Sequence, residues 1–144
     1  MDLEKMHVGF WLGCDVGKAA FDASIAPVGA APGDWAKLPC AQFAMTPEGA
    51  ALFKAWLEPV FAKGQCRGVC IESTGVYSHR FVRLLAALDL PEVSMVNPAL
   101  PVAFRKSINL RDKCDRVDAA VLALFGVVNK PAPNMKKGVE YQSL

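Results

Sequence analysis

The chain has 144 residues and a net charge of +2, and 53% of its residues are hydrophobic while 21% are charged. This length is typical of one ordinary domain with its own core, and the composition excludes a disordered tail. No apolar stretch is long enough to cross a bilayer and the first residues do not form a signal peptide, so we expect a cytoplasmic protein with no membrane partner. Five cysteines without a CxxC spacing predict buried, reduced thiols, and two distant histidines make a zinc site unexpected.

Apolar runs separated by turn residues divide the chain into predicted strands and helices. The predicted strands cover residues 7–15, 19–26, 38–45, 67–72 and 93–96. The predicted helices cover residues 47–61, 76–88, 98–104 and 114–128. The first helix has the clearest start, because Thr46 can cap it and Pro47 suits its first position. Residues 27–34 and 105–111 are predicted loops, and residues 129–134 have the composition of a linker.

The order of these elements predicts the fold class. A hairpin and a third strand come first, and the remaining strands then alternate with helices. This order is typical of an α/β domain with a mixed five-stranded sheet and helices on both faces. The strands that end at residues 15 and 72 can be adjacent in the centre of the sheet, and the last helix can cross above them.

Four carboxylates occupy positions at which a charge is costly unless a partner neutralises it. Asp15 and Glu72 each end an apolar strand, while Asp115 and Asp118 lie three residues apart on one face of the last predicted helix. Acids from three distant segments repel one another, and divalent cations are the usual remedy. The pattern therefore predicts metal-dependent phosphodiester chemistry with Mg²⁺, or Mn²⁺, as the cofactor. Strand-end and helix-terminal carboxylates without a metal are the structural alternatives, and the sequence leaves them open.

Basic residues cluster around the start of the last predicted helix. This cluster comprises Arg105, Lys106, Arg111, Lys113 and Arg116. A basic segment beside a metal centre suits a polyanionic substrate, so we predict that these side chains contact nucleic acid. A solvated loop is the alternative reading of the same segment, and Lys113 could also pair with Asp115. By contrast, Asp22 on the second strand is predicted to face solvent.

Four short motifs share an order and spacing with a known family. They are residues 13–18 (GCDVGK), 71–77 (IESTGVY), 96–98 (VNP) and 113–119 (KCDRVDA). Together they resemble the N-terminal RuvC-like domain of the DEDD insertion-sequence transposases, the class that includes the pilin-inverting DNA recombinases. The resemblance covers residues 8–126, and it places the family's acidic tetrad on Asp15, Glu72, Asp115 and Asp118. Gly17 and Cys114 depart from the residues common in the family, but neither belongs to the tetrad.

The resemblance implies a ribonuclease H-like, or RuvC-like, fold and a metal-dependent DNA strand-transfer activity with magnesium as cofactor. It also implies DNA as partner, a homo-oligomeric synaptic complex and an element-encoded guide RNA. Family members continue into a coiled-coil segment and a C-terminal domain that supplies a nucleophilic serine. We therefore expect residues 1–128 to form the catalytic domain and residues 129–144 to lead toward that further domain. On this expectation the chain alone does not complete recombination.

Two other function classes stay open on the sequence. One is a non-catalytic nucleic-acid-binding or assembly domain that keeps the tetrad without using it. The other is a nucleotide-binding module of the actin or sugar-kinase type, which also has an Asp-x-Gly turn like the one at residues 15–17. That module needs a second phosphate loop and an adenosine site, and 144 residues are few for both halves.

Overall fold

A computed structural model describes residues 3–73, 76–110 and 115–135, apart from the side chains of Val76, Asp115 and Arg116. Within these ranges the strands are β1 (Phe10–Val16), β2 (Ala20–Pro27), β3 (Cys40–Ala44), β4 (Cys66–Glu72) and β5 (Val93–Val96). The α-helices are α1 (Pro47–Phe61), α2 (Val76–Leu84), α3 (Ala99–Ser107) and α4 (Asp115–Asn129). Short 3-10 helices occupy Leu3–Val8, Pro32–Lys37 and Leu85–Ala87.

The strands form one sheet in the order β3-β2-β1-β4-β5. The β1–β2 and β2–β3 pairs are antiparallel, whereas β1–β4 and β4–β5 are parallel. The two parallel pairs require crossover connections, and these connections contain α1 and α2. The predicted mixed five-stranded α/β sheet is therefore confirmed.

One face of the sheet is covered by α1 and α2 and holds an apolar core. Phe21 of β2 lies at its centre, where its ring contacts the rings of Phe43, Phe53 and Phe81 at centroid distances of 5.5, 5.2 and 5.0 Å. Thr46 starts α1 as predicted, because its hydroxyl accepts a hydrogen bond from the Gly49 amide at 3.0 Å. Aromatic pairs of this kind add to the stabilisation that burial alone provides.

The opposite face is covered by α4, with α3 beside it. Trp11, Ala26 and Cys70 from the sheet pack against apolar residues of α4 in a second buried cluster. Phe104 of α3 joins this cluster, and its ring meets Phe125 of α4 edge to face at 5.9 Å. The prediction of helices on both faces is therefore confirmed.

Several predicted boundaries were wrong, each for a local reason. β1 begins at Phe10 rather than at residue 7, because a 3-10 helix precedes it. The Gly9 amide donates a hydrogen bond to the Met6 carbonyl of that helix, and Gly9 adopts a φ of 107°. The predicted loop at residues 27–34 is partly helical at Pro32–Lys37, and α2 ends at Leu84 before a short 3-10 helix. The third helix extends to Ser107, so Arg105 and Lys106 are helical rather than in a loop.

The chain after α4 lies against β5. Met135 bridges to Val93, and the Asn134 side chain bonds the amide and carbonyl of Met95 at 2.8 and 2.9 Å. The Ser94 hydroxyl donates to the Pro131 carbonyl at 3.0 Å. The division into residues 1–128 and 129–144 stays a prediction. Within the described ranges, no helix combines the length and the apolar character that crossing a membrane requires.

Candidate active site

The ends of the two central parallel strands bring Asp15 and Glu72 to the same edge of the sheet. β1 and β4 pair in register up to Cys14 and Ile71, so the acids are the next residue on each strand. Cys14 and Ile71 belong to the core beneath α1 and α2. Because side chains alternate along a strand, Asp15 and Glu72 face the other side, toward α4. Both residues are half-buried.

Small residues bring α4 onto β1 and fix its direction. A Cβ added to Gly13 would collide with the α4 backbone at Ala119 and Ala123, and one added to Gly126 would collide with the ring of Trp11. Trp11 therefore contacts α4 at Gly126, whereas Gly13, two residues further along β1, contacts it nearer its start, toward Ala119. The first turn of α4, which begins at Asp115, accordingly lies over the end of β1, where Asp15 is found.

The electrostatics of Glu72 place Asp118 and Arg105 in its surroundings. Burial raises the pKa of Glu72, the negative charge of Asp118 raises it further, and the Arg105 guanidinium lowers it. Asp118 itself forms an ion pair with Arg105, whose Nη1 lies 2.8 Å from its Oδ1. Two carboxylates from β4 and α4 thus share one electrostatic environment, in which each disfavours the ionised form of the other.

Arg105 is held by the end of α3. Its carbonyl accepts hydrogen bonds from the Ile108 and Leu110 amides at 3.3 and 3.0 Å, and Asn109 adopts a left-handed φ of 57° to close this turn. Only 11% of the Arg105 side chain is exposed, whereas 41% of the Asp118 side chain is. The sequence predicted this arginine as a phosphate contact, but the structure gives it a partner within the protein.

Asp22 is a further carboxylate on this face, and the prediction that it faces solvent was wrong. It lies directly across from Asp15 in the β1–β2 pair and is 9% exposed. The side-chain amide of Gln42 donates to its two oxygens at 3.5 and 3.4 Å. Asp15 and Asp22 line a surface cavity of about 400 Å³ together with Gly17 and Gln42. The polar-apolar alternation of β2 predicts that Asp22 and Phe21 lie on opposite faces of the sheet. It does not predict that α4 leaves little of the Asp22 face open to water.

The other predicted nucleic-acid contacts are only partly visible. Lys106 is exposed near the end of α3. Arg111 and Lys113 lie outside the described residues, and Arg116 belongs to the first turn of α4 without a described side chain. Nucleic-acid binding by these residues stays a prediction.

The donor chemistry of the site fits a hard divalent cation. Asp15, Glu72 and Asp118 offer carboxylate oxygens, which Mg²⁺ and Mn²⁺ prefer, and the like charges near Glu72 would be relieved by a cation. However, among the described side chains no group of three or more His, Cys, Asp or Glu is close enough to hold a metal ion. The Asp115 side chain, the fourth member of the predicted tetrad, lies outside the described residues. Metal binding therefore stays a prediction.

The buried cysteines among the described residues offer no thiolate to this site. Cys14, Cys66 and Cys70 are buried, free thiols, and Cys40 is half-buried. Burial raises the pKa of Cys66 and Cys70 to about 12. These two thiols therefore stay protonated at neutral pH. The prediction of buried, reduced thiols is confirmed for Cys14, Cys66 and Cys70.

Comparison with known proteins connects this site to a family. Residues 12–137 match the model of the IS110-type DEDD family, which is described as transposase. The pilin gene-inverting protein of Moraxella bovis is 28% identical over 121 residues, and that of Moraxella lacunata is 27% identical over the same length. Both alignments cover 84% of this chain and 35% of the relative, so the chain spans about a third of the length of these proteins.

Solved structures of Thermus thermophilus RuvC share the fold. The structure of RuvC in complex with a Holliday junction substrate is 12% identical to this chain, and a second RuvC structure is 14% identical. Each has a TM-score of 0.51 and covers 87% of this chain and 99% of the RuvC chain. The predicted RuvC-like, ribonuclease H-like fold is confirmed.

Proposed function

Since this chain belongs to the IS110-type DEDD transposase family, we propose that it is the metal-dependent nuclease domain of a DNA transposase or site-specific recombinase. The observation that carries the proposal is that acids from three elements lie on one face of the sheet, near the ends of β1 and β4. Asp15 ends β1, Glu72 ends β4 and lies within the electrostatic reach of Asp118, and α4 runs so that its first turn covers the strand ends.

In the proposed reaction the protein positions the DNA and the charges around the scissile phosphate. Asp15, Glu72, Asp115 and Asp118 would hold Mg²⁺ or Mn²⁺, which supplies Lewis-acid activation of the phosphate and of the attacking oxygen when bound. Lys106, with Arg111, Lys113 and Arg116, would contact phosphates on either side of the cut. The rigid β1–β4 pair fixes two of the acids relative to each other, and such fixed positioning is the larger part of phosphoryl-transfer catalysis.

The proposed partners follow from the family and from the fold relatives. A protein named for inverting a pilin gene acts on DNA, and the related RuvC structure contains a Holliday junction substrate. We extend DNA as partner to this chain, together with a homo-oligomeric synaptic complex and an element-encoded guide RNA. Strand transfer by the complete machinery is part of the same proposal, because this chain spans only about a third of its relatives.

A nicking assay on supercoiled DNA tests the proposed activity. With Mn²⁺ or Mg²⁺ the native chain should nick the DNA, and EDTA should abolish nicking. Glu72→Gln keeps the shape of the side chain and removes its charge, so nicking should fall by at least roughly 100-fold, the usual effect of losing a charged group that acts in the transition state. Glu58→Gln is the matched control, because Glu58 is an exposed residue of α1.

The outcomes separate the proposal from its alternative. Equal nicking by native chain and Glu72→Gln, or nicking that persists in EDTA, would contradict the assignment. DNA binding without any nicking in either metal would instead favour the non-catalytic binding domain.

A further inference from the structure

Arg105 is a cation inside the acidic site, and neither the tetrad nor the phosphate-binding role accounts for it. Its Nη1 lies 2.8 Å from Oδ1 of Asp118. The guanidinium therefore pairs with one of the predicted metal ligands.

The packing around Arg105 indicates that this contact is built into the fold. The preceding residue, Phe104, packs on Phe125 of α4, and Phe125 lies two helical turns after Asp118 on the same side of that helix. The turn closed by Asn109 fixes the C-terminal end of α3 through the carbonyl of Arg105 itself. A guanidinium with 11% of its side chain exposed is costly without a partner, so the fold places it where an anion is present.

The charges on this face explain why a partner is needed there. Asp15, Asp22 and Glu72 point to the α4 side of the sheet, and Asp118 approaches from α4. Without a cation these carboxylates repel one another at the ends of three strands and a helix. Among the described contacts, Arg105 is a basic residue placed against one of these acids, Asp118.

We propose that Arg105 is a positioning residue of the metal centre, which holds the Asp118 carboxylate when no metal is bound and competes with a divalent cation for it. This inference rests on the proposed function, because it takes Asp118 as a metal ligand. Arg105 therefore stabilises the metal-free site and weakens metal binding, and it does not contact DNA phosphate.

The test is Mn²⁺ titration by calorimetry combined with thermal melting in the presence of EDTA. Arg105→Gln should bind Mn²⁺ on the order of tenfold more tightly than the native chain, since one repelling charge is lost at short range. Its metal-free melting temperature should fall by about 3–6 °C, and saturating Mn²⁺ should restore it. Arg105→Lys keeps a positive charge near Asp118 and should bind Mn²⁺ within about twofold of the native chain, because the charge repulsion is retained.

Lys106→Gln is the matched control for charge. It removes one positive charge from the adjacent, exposed position, where solvent screens it, and should change Mn²⁺ affinity by less than about twofold. It should instead weaken DNA binding, whereas Arg105→Gln should leave DNA affinity nearly unchanged in the absence of metal.

Either of two results would overturn this inference without contradicting the proposed function. If the native chain binds Mn²⁺ and Asp118→Asn loses that binding, an unchanged or weaker Mn²⁺ affinity in Arg105→Gln shows that Arg105 does not compete for the site. If Arg105→Gln loses as much DNA affinity as Lys106→Gln does, Arg105 contacts DNA phosphate. Absence of Mn²⁺ binding in the native chain overturns the inference together with the proposed function.

Discussion

The two faces of the sheet are built from different residues for different purposes. Beneath α1 and α2, large rings such as Phe21 and Phe53 fill the space, and both are fully buried. Beneath α4, the close contact is made by Gly13 and Gly126, which leave no room for a side chain, and the strand ends beyond it carry acids. The first face is filled by apolar side chains, whereas the second joins an apolar cluster to acids at the strand ends.

The small residues explain how the charged face is assembled. Because Gly13 has no Cβ, the backbone of α4 approaches β1 directly, and the first turn of the helix extends over the strand ends. A larger residue at this position would lift α4 and separate Asp118 from Glu72. The site is therefore positioned by a backbone contact, while the opposite face depends on side-chain packing.

The largest expected effect of a substitution lies on the aromatic face. Phe21→Ala removes a fully buried ring that contacts three others, and it should cost about 3–5 kcal/mol in the free energy of unfolding. Urea denaturation measures this loss, with Leu52→Ala as the control because that side chain is 65% exposed. If both variants change the free energy by less than about 0.5 kcal/mol, the contrast between the two faces is wrong.

A smaller effect is expected at the rim of the charged face. Lys106→Glu reverses an exposed charge at the end of α3 and should weaken DNA binding by about three- to tenfold at low salt, for every DNA sequence alike. The difference should shrink as salt increases, because phosphate contacts release counterions. Gel-shift titrations at several salt concentrations check it, and a salt-independent affinity would remove this surface from the DNA interface.

Local patterns were enough to predict the elements of this fold. Thr46 and Pro47 marked the start of α1, and the apolar runs before Asp15 and Glu72 marked the two central strands. The four acids of the proposed tetrad were named from motif order, and their catalytic role and metal binding both stay predictions. Local patterns predict which residues lie on the same strand or on the same face of a helix.

Two features depended on contacts between distant segments and could not be read from local spacing. Asp22 alternates with apolar residues, a pattern that usually indicates a solvent-facing side chain, but here it is nearly buried beside Asp15. Arg105 was assigned to a basic loop, but α3 continues past it to Ser107 and ends in a turn where Asn109 is left-handed. Its pairing with Asp118 joins two helices, and no spacing rule within one helix describes such a pair.

The central claim is that the acids on the α4 face are held together for a divalent cation, and Asp15→Asn tests it most directly. Thermal melting of this variant and of the native chain should be measured in EDTA and in saturating Mn²⁺, with Asp89→Asn as an exposed control. We expect the metal-free melting temperature of Asp15→Asn to be equal to or above that of the native chain, because repulsion is relieved, and the Mn²⁺-induced rise to be lost. A metal-free melting temperature several degrees lower, with an undiminished rise in Mn²⁺, would show that Asp15 is a structural strand-end carboxylate and would contradict the account.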